Sequence, residues 1–137
     1  MTALDEILNE IGKKLDGVWI LAVSDFDGML IGSWQSPDNK LNPEMLSGQF
    51  VRVLRSLETM TSDMSSDLPA AISKPGVPNP FALDDMVIST GFSYVMVKPM
   101  CNNSCYLLVD SSKKVPLGLI RMAATNYVPR LEKCLPS

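Results

Sequence analysis

Asp25 and Asp27 are the residues of this chain whose types and spacing first suggest chemistry. They lie in the stretch Asp25-Phe26-Asp27-Gly28, directly after the apolar run VWILAV and one serine. In one class of phosphatase an apolar strand delivers such a D-x-D-G loop, where the first Asp attacks phosphorus and the second is the general acid. A second interpretation makes these residues the tip of a β-hairpin, because Asp suits the start and Gly the end of a type I turn with a bulge.

The wider sequence favours the hairpin over the phosphatase, which would be of the haloacid-dehalogenase type. That fold requires parallel strands alternating with helices, with further acidic motifs at other strand ends. Asp84-Asp85 precedes an apolar strand instead of ending one, and Met29 stands where that class has Thr. A short motif in the wrong context is a weak signal, so the phosphatase stays the minor alternative.

Other catalytic and metal chemistry has little support. The chain contains no histidine, which removes Ser-His-Asp and Cys-His catalysis and His-ligated metals. Cys101 and Cys105 flank a three-residue turn, and without a second pair of ligands they do not complete a tetrahedral zinc site. We expect thiols, with a disulfide as the alternative, and we expect no catalytic residue, metal or cofactor.

Composition limits the class of protein. The 137 residues suit one domain, 1–137, and the net charge of −3 with a pI of about 4.8 argues against binding nucleic acid. No apolar run reaches the roughly 18 residues needed for a membrane span. The first residues form an acidic amphipathic pattern without the features of a signal peptide, so we expect a cytoplasmic protein.

Periodicity and turn residues predict an α+β fold. The predicted helices are 3–15, 43–64 and 117–133, and Pro129 is expected to kink the last of them or to end its regular part. The predicted strands are 18–23, 29–31, 86–89, 94–100 and 105–109, and a connection at 65–82 carries four prolines. Strands that are apolar on both faces must be covered on both faces. The chain is therefore expected to form a mainly antiparallel five-stranded sheet with helices on both faces, in the order α-β-β-α-β-β-β-α.

The long helix has two distinct faces. Six apolar residues form a stripe, which is most simply the face on the sheet, with a self-pairing seam as the alternative: Leu46, Phe50, Val53, Leu57, Met60 and Met64. The opposite face includes Gly48, Val51, Arg52 and Arg55. Glycine costs about 1 kcal/mol in a helix interior. A partner backbone that approaches closely would explain Gly48, and a tolerated glycine on a solvated face is the equal alternative.

Three segments resemble the Roadblock family, the dynein light chain roadblock type, and specifically its bacterial MglB-like branch. VWILAVSDFDGMLIGSW is similar to the family's first hairpin. The helix 43–64, with Ser47-Gly48 in its first turns, is similar to the central helix, and VPLGLIRMAATNYVPRLEK is similar to the family's C-terminal ending. The connection 65–82 and Pro129 depart from the family pattern.

The resemblance implies a non-enzymatic, dimeric scaffold or regulator that binds a small Ras-like GTPase in cell polarity and motility, with activation of the GTPase as one expected effect. Partner binding is assigned to Gly48, Val51, Arg52 and Arg55. The central helices and third strands of two subunits are expected to meet, in a homodimer or heterodimer, through the following residues: Phe50, Leu54, Leu57, Met86, Val87 and Ile88. A small-ligand sensor domain is the alternative function, and the phosphatase is a weaker one.

Overall fold

The structure, a computed structural model, describes residues 2–66 and 82–135. Its helices are α1 (Ala3–Lys14), α2 (Pro43–Ser66) and α3 (Leu117–Glu132). Its strands are β1 (Val18–Asp25), β2 (Leu30–Gln35), β3 (Met86–Ser89), β4 (Ser93–Met100) and β5 (Cys105–Ser112). The predicted connection 65–82 falls mostly on residues 67–81, which lie outside the described part of the chain.

The five strands form one antiparallel sheet in the order β2-β1-β5-β4-β3. This arrangement confirms the predicted fold class and element order. β5 and β1 occupy central positions, which agrees with the uninterrupted apolar character of β1. β2 and β3 lie at the two edges, so each has one unpaired side among the described strands.

The sheet has a helical layer on each face. Alternate residues of β1 and β5, among them Leu21 and Leu107, face α1 and α3. The residues between them, among them Ile20 and Leu108, face α2, where Val51 and Leu54 complete the second core. The strand residues at the centre of the sheet are therefore buried on one side or the other, as the two-sided apolar strands require.

Local sequence signals fix where α1 and α2 begin. Thr2 caps α1 with its hydroxyl oxygen 3.1 Å from the Asp5 backbone nitrogen, and Asp5 completes the predicted capping box. The Asn42 side chain accepts a hydrogen bond from the Glu44 N–H at 2.9 Å at the start of α2. Pro129 lies inside α3, and the helix continues to Glu132, within one residue of the predicted end.

One ionisable side chain lies within the core on the α2 side of the sheet. Asp110, on β5, is 2% exposed, and its Oδ1 has no hydrogen-bond partner within the described residues. Burial raises the pKa of this carboxyl, and a hydrogen bond from Ser93 offsets part of that rise. A carboxyl group in this position costs stability when it is ionised.

The orientation of α2 differs from the predicted one. The residues that pack most deeply on the sheet are Ser47, Val51 and Leu54, all at most 1% exposed. They are rotated by roughly 100° from the centre of the apolar stripe, given 3.6 residues per turn. The prediction that the stripe is the sheet-facing side is therefore wrong. Half of its members are partly buried at the rim of the core, and the other half remain about half exposed: Leu46, Phe50 and Leu57 in the first group, and Val53, Met60 and Met64 in the second.

Candidate functional site

The turn between β1 and β2 has the predicted hairpin geometry. The Gly28 N–H donates to the Asp25 carbonyl at 3.0 Å, and Gly28 has a positive φ of 83°. The Asp25 carboxylate accepts hydrogen bonds from the backbone N–H groups of Asp27 at 2.9 Å and Met29 at 3.0 Å. Asp25 therefore shapes the turn. Because the sheet is antiparallel throughout its described strands, the haloacid-dehalogenase interpretation is wrong as a description of the fold.

The turn packs directly on the backbone of α2. A Cβ atom added at Gly28 would lie 3.1 Å from the Cα of Gly48 and 3.5 Å from the Ser47 carbonyl oxygen. The absence of a side chain at Gly28 thus allows turn and helix to approach closely at this point. A Cβ added at Gly48 itself would meet no atom within 4 Å, so the outward side of Gly48 is open.

Phe26 and Asp27 at the tip of the turn contact the polar face of α2. The Arg55 guanidinium lies over the Phe26 ring, 3.8 Å from its centroid, and one guanidinium nitrogen is 3.9 Å from the Asp27 carboxylate. Phe26 is 45% exposed despite this contact. The turn and the helix together therefore present an aromatic ring, a cation and a carboxylate on one surface.

A groove of about 530 Å³ follows this surface along α2. Its walls include Phe26, Arg52, Arg55 and Thr59, and Glu58 also lines it. Burial raises the pKa of the Glu58 carboxyl, while a hydrogen bond with Tyr106 and the charge of Arg55 lower it. Burial and the neighbouring Glu58 raise the pKa of Tyr106 to about 12. Tyr106 therefore stays protonated near physiological pH, and its hydroxyl donates to the Asn103 carbonyl at 3.3 Å.

Three of the four residues assigned to partner binding share this surface. Gly48, Arg52 and Arg55 lie on the side of α2 away from the apolar stripe. Val51 does not join them, because its side chain is 1% exposed and packs on the sheet. Phe26 was missed by the sequence reasoning. An aromatic residue between two acidic ones at a hairpin tip was the available signal, since such a tip has no core to pack into.

The residues assigned to the subunit interface divide in a similar way. Phe50 and Leu57 are partly exposed on α2, and Val87 and Ile88 are partly exposed on the edge strand β3. Leu54 is fully buried within the subunit, so its assignment as an interface side chain is wrong. The side chain of Met86 is likewise buried, at 8% exposure, although its backbone lies at the sheet edge.

Cys105 pairs opposite Asp25 at the same end of the sheet, and the three cysteine side chains belong to the core on the α1 and α3 side or pack against it. Cys101, Cys105 and Cys134 are free thiols, and burial together with the nearby Cys105 and Glu132 raises the pKa of Cys101 to about 11. A thiol with such a pKa is a weak nucleophile at neutral pH. Within residues 2–66 and 82–135, no cluster of three or more acidic or cysteine ligands could hold a metal ion. In the same ranges, no helix is both long and apolar enough to cross a membrane.

One cavity in the described part of the interior is too small for a ligand. It lies between the sheet and the helices α1 and α3, with a volume of about 10 Å³ and apolar walls that include Ile11 and Ile120. Pockets for small ligands usually have volumes of about 300 Å³ or more. The larger depressions are open surface grooves, so the geometry favours contacts with macromolecules over enclosure of a small ligand.

Sequence comparisons leave the chain without a match. No protein-family model matches it, and no curated protein matches it. Solved structures do match. MglB of Myxococcus xanthus aligns with a TM-score of 0.74 at 14% identity, covering 97% of this chain and 94% of that chain. The gliding protein MglB of Thermus thermophilus aligns with a TM-score of 0.75 at 10% identity, over 96% and 87% of the two chains. A Roadblock/LC7 domain from Streptomyces avermitilis aligns with a TM-score of 0.65 at 15% identity, over 95% and 99%.

The chain therefore has the roadblock fold, a five-stranded antiparallel sheet between one helix and two. Its form of that fold is MglB-like, as shown by the alignment over nearly the whole length of the Myxococcus protein. These identities of 10–15% establish similarity of fold.

Proposed function

We propose that this chain is a non-enzymatic, dimeric regulator that binds a small Ras-like GTPase. The fold it shares with MglB, a gliding protein, supports a role in polarity or motility in the cytoplasm. The sequence has no P-loop motif, so the nucleotide is expected to be bound by the partner. Activation of GTP hydrolysis is the consequence of binding that we expect.

The observation that carries the proposal is the surface formed by α2 and the β1–β2 turn. Gly48 leaves the helix backbone open to a close approach, and Arg52 and Arg55 add two cations next to the exposed ring of Phe26. Aromatic and arginine side chains are the types most enriched at the energetic centres of protein interfaces. A partner element lying along α2 would contact all four residues.

The apolar stripe supports dimerisation through a different face of the same helix. Val53 is 46% exposed, Met60 59% and Met64 48%, and the stripe lies roughly 100° from the sheet-facing residues. The edge strand β3 has an unpaired side among the described strands, so a second β3 could extend the sheet across a two-fold axis. We propose that the interface is formed by the backbone of Met86–Ser89 together with these side chains of the stripe: Phe50, Val53, Leu57 and Met60.

The test is the substitution Gly48→Arg. An arginine side chain meets no atom of the subunit near its Cβ and projects into the proposed partner's position. We expect unchanged or raised thermal stability, because glycine is the poorer helix former by about 1 kcal/mol. We also expect a retained dimer and at least a tenfold loss of affinity. The measurements are a melting curve, sedimentation and a binding titration. The titration uses the Ras-like GTPase that this protein pulls down from the native cell.

Gly118→Arg is the matched control, since Gly118 lies on α3, across the sheet from α2, and is also open around its Cβ position. It should bind the GTPase normally. Normal binding by Gly48→Arg would show that this face of α2 is not the platform. Dissociation of Gly48→Arg into monomers would place Gly48 in the subunit interface. Failure to recover any GTPase from the cell would remove the premise.

A further inference from the structure

A second exposed surface lies at the other end of the sheet. Trp19 on β1 and Phe92 before β4 contact each other with ring centroids 5.0 Å apart and planes tilted by 35°. Phe92 is 75% exposed, the highest fraction among the large apolar side chains of the described residues. We call this pair the aromatic ridge.

The ridge is remote from the α2 surface. β5 pairs with the turn region at Cys105, opposite Asp25, and reaches the ridge at Ser112, opposite Ser93. Seven residues of extended strand separate these positions by about 23 Å. A ligand on the ridge would therefore leave the proposed GTPase surface free.

A groove runs along each side of the ridge. One, of about 680 Å³, is also lined by Asp16, Lys113 and Lys114, and the other, of about 560 Å³, by Asp38, Lys40 and Leu41. Leu41 is 46% exposed, so the second groove has an apolar wall beyond the ridge itself. The two rings thus line both grooves.

The charge around the ridge is positive in a chain that is negative as a whole. Three lysines and two aspartates line the grooves, whereas the whole chain carries a net charge of −3. Lys40, Lys113 and Lys114 form no ion pair with a carboxylate in the described part of the chain. The Lys113 ammonium lies 5.6 Å from the centroid of the Tyr94 ring, which keeps it beside the groove.

We propose that the aromatic ridge docks an acidic segment of another protein that carries an apolar side chain. The apolar side chain would cover the exposed face of Phe92. Carboxylates on one side of it would pair with Lys113 and Lys114, and a carboxylate on the other side would pair with Lys40. Desolvated aromatic anchors with complementary charges at the rim are the usual arrangement of a peptide-docking surface. Single-stranded nucleic acid fits less well, because Asp16 and Asp38, which line the two grooves, would repel phosphates.

The test uses the full chain and three labelled probes. The first is a peptide of about twelve residues of Glu and Ser with a central Leu-Phe pair. The second has Lys in place of Glu, and the third is a uridine RNA of about the same number of nucleotides. Fluorescence anisotropy at about 50 and about 300 mM salt should show the acidic peptide binding at least tenfold more tightly than either other probe. Higher salt should weaken that binding, because surface ion pairs are screened.

Variants locate the binding. Phe92→Ala, which truncates an exposed side chain, should weaken binding of the acidic peptide at least tenfold. Lys113→Glu with Lys114→Glu should also weaken binding and reverse its salt dependence, because the groove residues then repel the peptide. Met122→Ala is the control, since Met122 is 55% exposed on α3 and lines neither groove. Equal binding of the two peptides, preference for the RNA, or indifference to Phe92→Ala would each overturn the proposal. A change of oligomeric state in Phe92→Ala would also overturn it, because the ridge would then be a contact between copies of this chain.

Discussion

Gly28→Ala is expected to destabilise the protein, although it adds only one methyl group. Gly28 has a φ of 83°, a conformation that costs a residue with a Cβ about 1–2 kcal/mol. The new Cβ would also lie 3.1 Å from the Gly48 Cα, closer than the usual carbon contact of about 3.5–4.0 Å. Because the atom it meets is backbone within α2, the contact is relieved only if turn or helix shifts.

These two costs are partly offset in the unfolded chain. Replacing glycine by alanine reduces the entropy of the unfolded state, which favours folding by about 0.4–1 kcal/mol. With about 1 kcal/mol for the close contact, the net loss is about 2 kcal/mol. For a domain of this size that loss lowers the melting temperature by about 6–8 °C. Gly28→Val should cost more, because a β-branched residue tolerates this conformation poorly.

Two further substitutions allow the sign of the change in the free energy of unfolding to be compared with that of Gly28→Ala. Gly48→Ala should raise the free energy of unfolding by about 0.5–1 kcal/mol, since its Cβ meets nothing and alanine favours helix. Asp25→Asn should change it by less than about 1 kcal/mol, because the Asn oxygen still accepts hydrogen bonds from Asp27 and Met29. The free energy of unfolding of each of these variants is measured by urea denaturation. If Gly28→Ala and Gly48→Ala were equally stable, the reasoning about turn and helix would be refuted.

Two other substitutions test the subunit interface and the buried carboxyl group. Val53→Glu should convert the proposed dimer into monomers in sedimentation, whereas Thr59→Glu, at a residue of similar shape on the polar face, should leave it dimeric. A dimeric Val53→Glu variant would rule out the stripe as the subunit interface. For Asp110, the raised pKa means that the folded state holds its proton more tightly than the unfolded state, so stability falls as pH rises from the ordinary carboxyl pKa through the raised one. Urea denaturation between about pH 4 and pH 8 should therefore show a smaller fall in the free energy of unfolding for Asp110→Asn than for the wild type. Asp16→Asn, outside the core, should leave the fall unchanged. An unchanged pH dependence in Asp110→Asn would contradict the raised pKa of Asp110.

The order of the elements could be predicted because each one carries its own local signals. Thr2 and Asp5 mark the start of α1, Asn42 and Pro43 mark the start of α2, and Gly28 closes the hairpin. Each of these depends on neighbours within a few residues, so periodicity and capping were sufficient. The two-sided apolar strands then required helices on both faces of the sheet.

Contacts between distant residues could not be predicted in the same way. The position of Asp110 in the core depends on how β5 pairs with β1 and β4, and its sequence context gives no sign of burial. The contact of Phe26 with Arg55 depends on how the hairpin tip meets α2, in a different element of the fold. Such contacts follow from tertiary packing, which local pattern does not determine.

The error over α2 is itself informative about function. A helix packs against its own sheet with the residues that fit that surface, and here these include the small Ser47 beside Val51 and Leu54. The strongest apolar periodicity of α2 belongs to the neighbouring face, the apolar stripe. One side of the stripe contacts the rim of the core, and the other side, including Val53 and Met60, is about half exposed. An apolar periodicity can arise from surfaces buried within a subunit and from surfaces buried between subunits. A stripe that runs the length of the helix, yet is only half used by the described part of its own subunit, supports the proposed subunit interface, and the polar face of the same helix then stays free for the proposed GTPase.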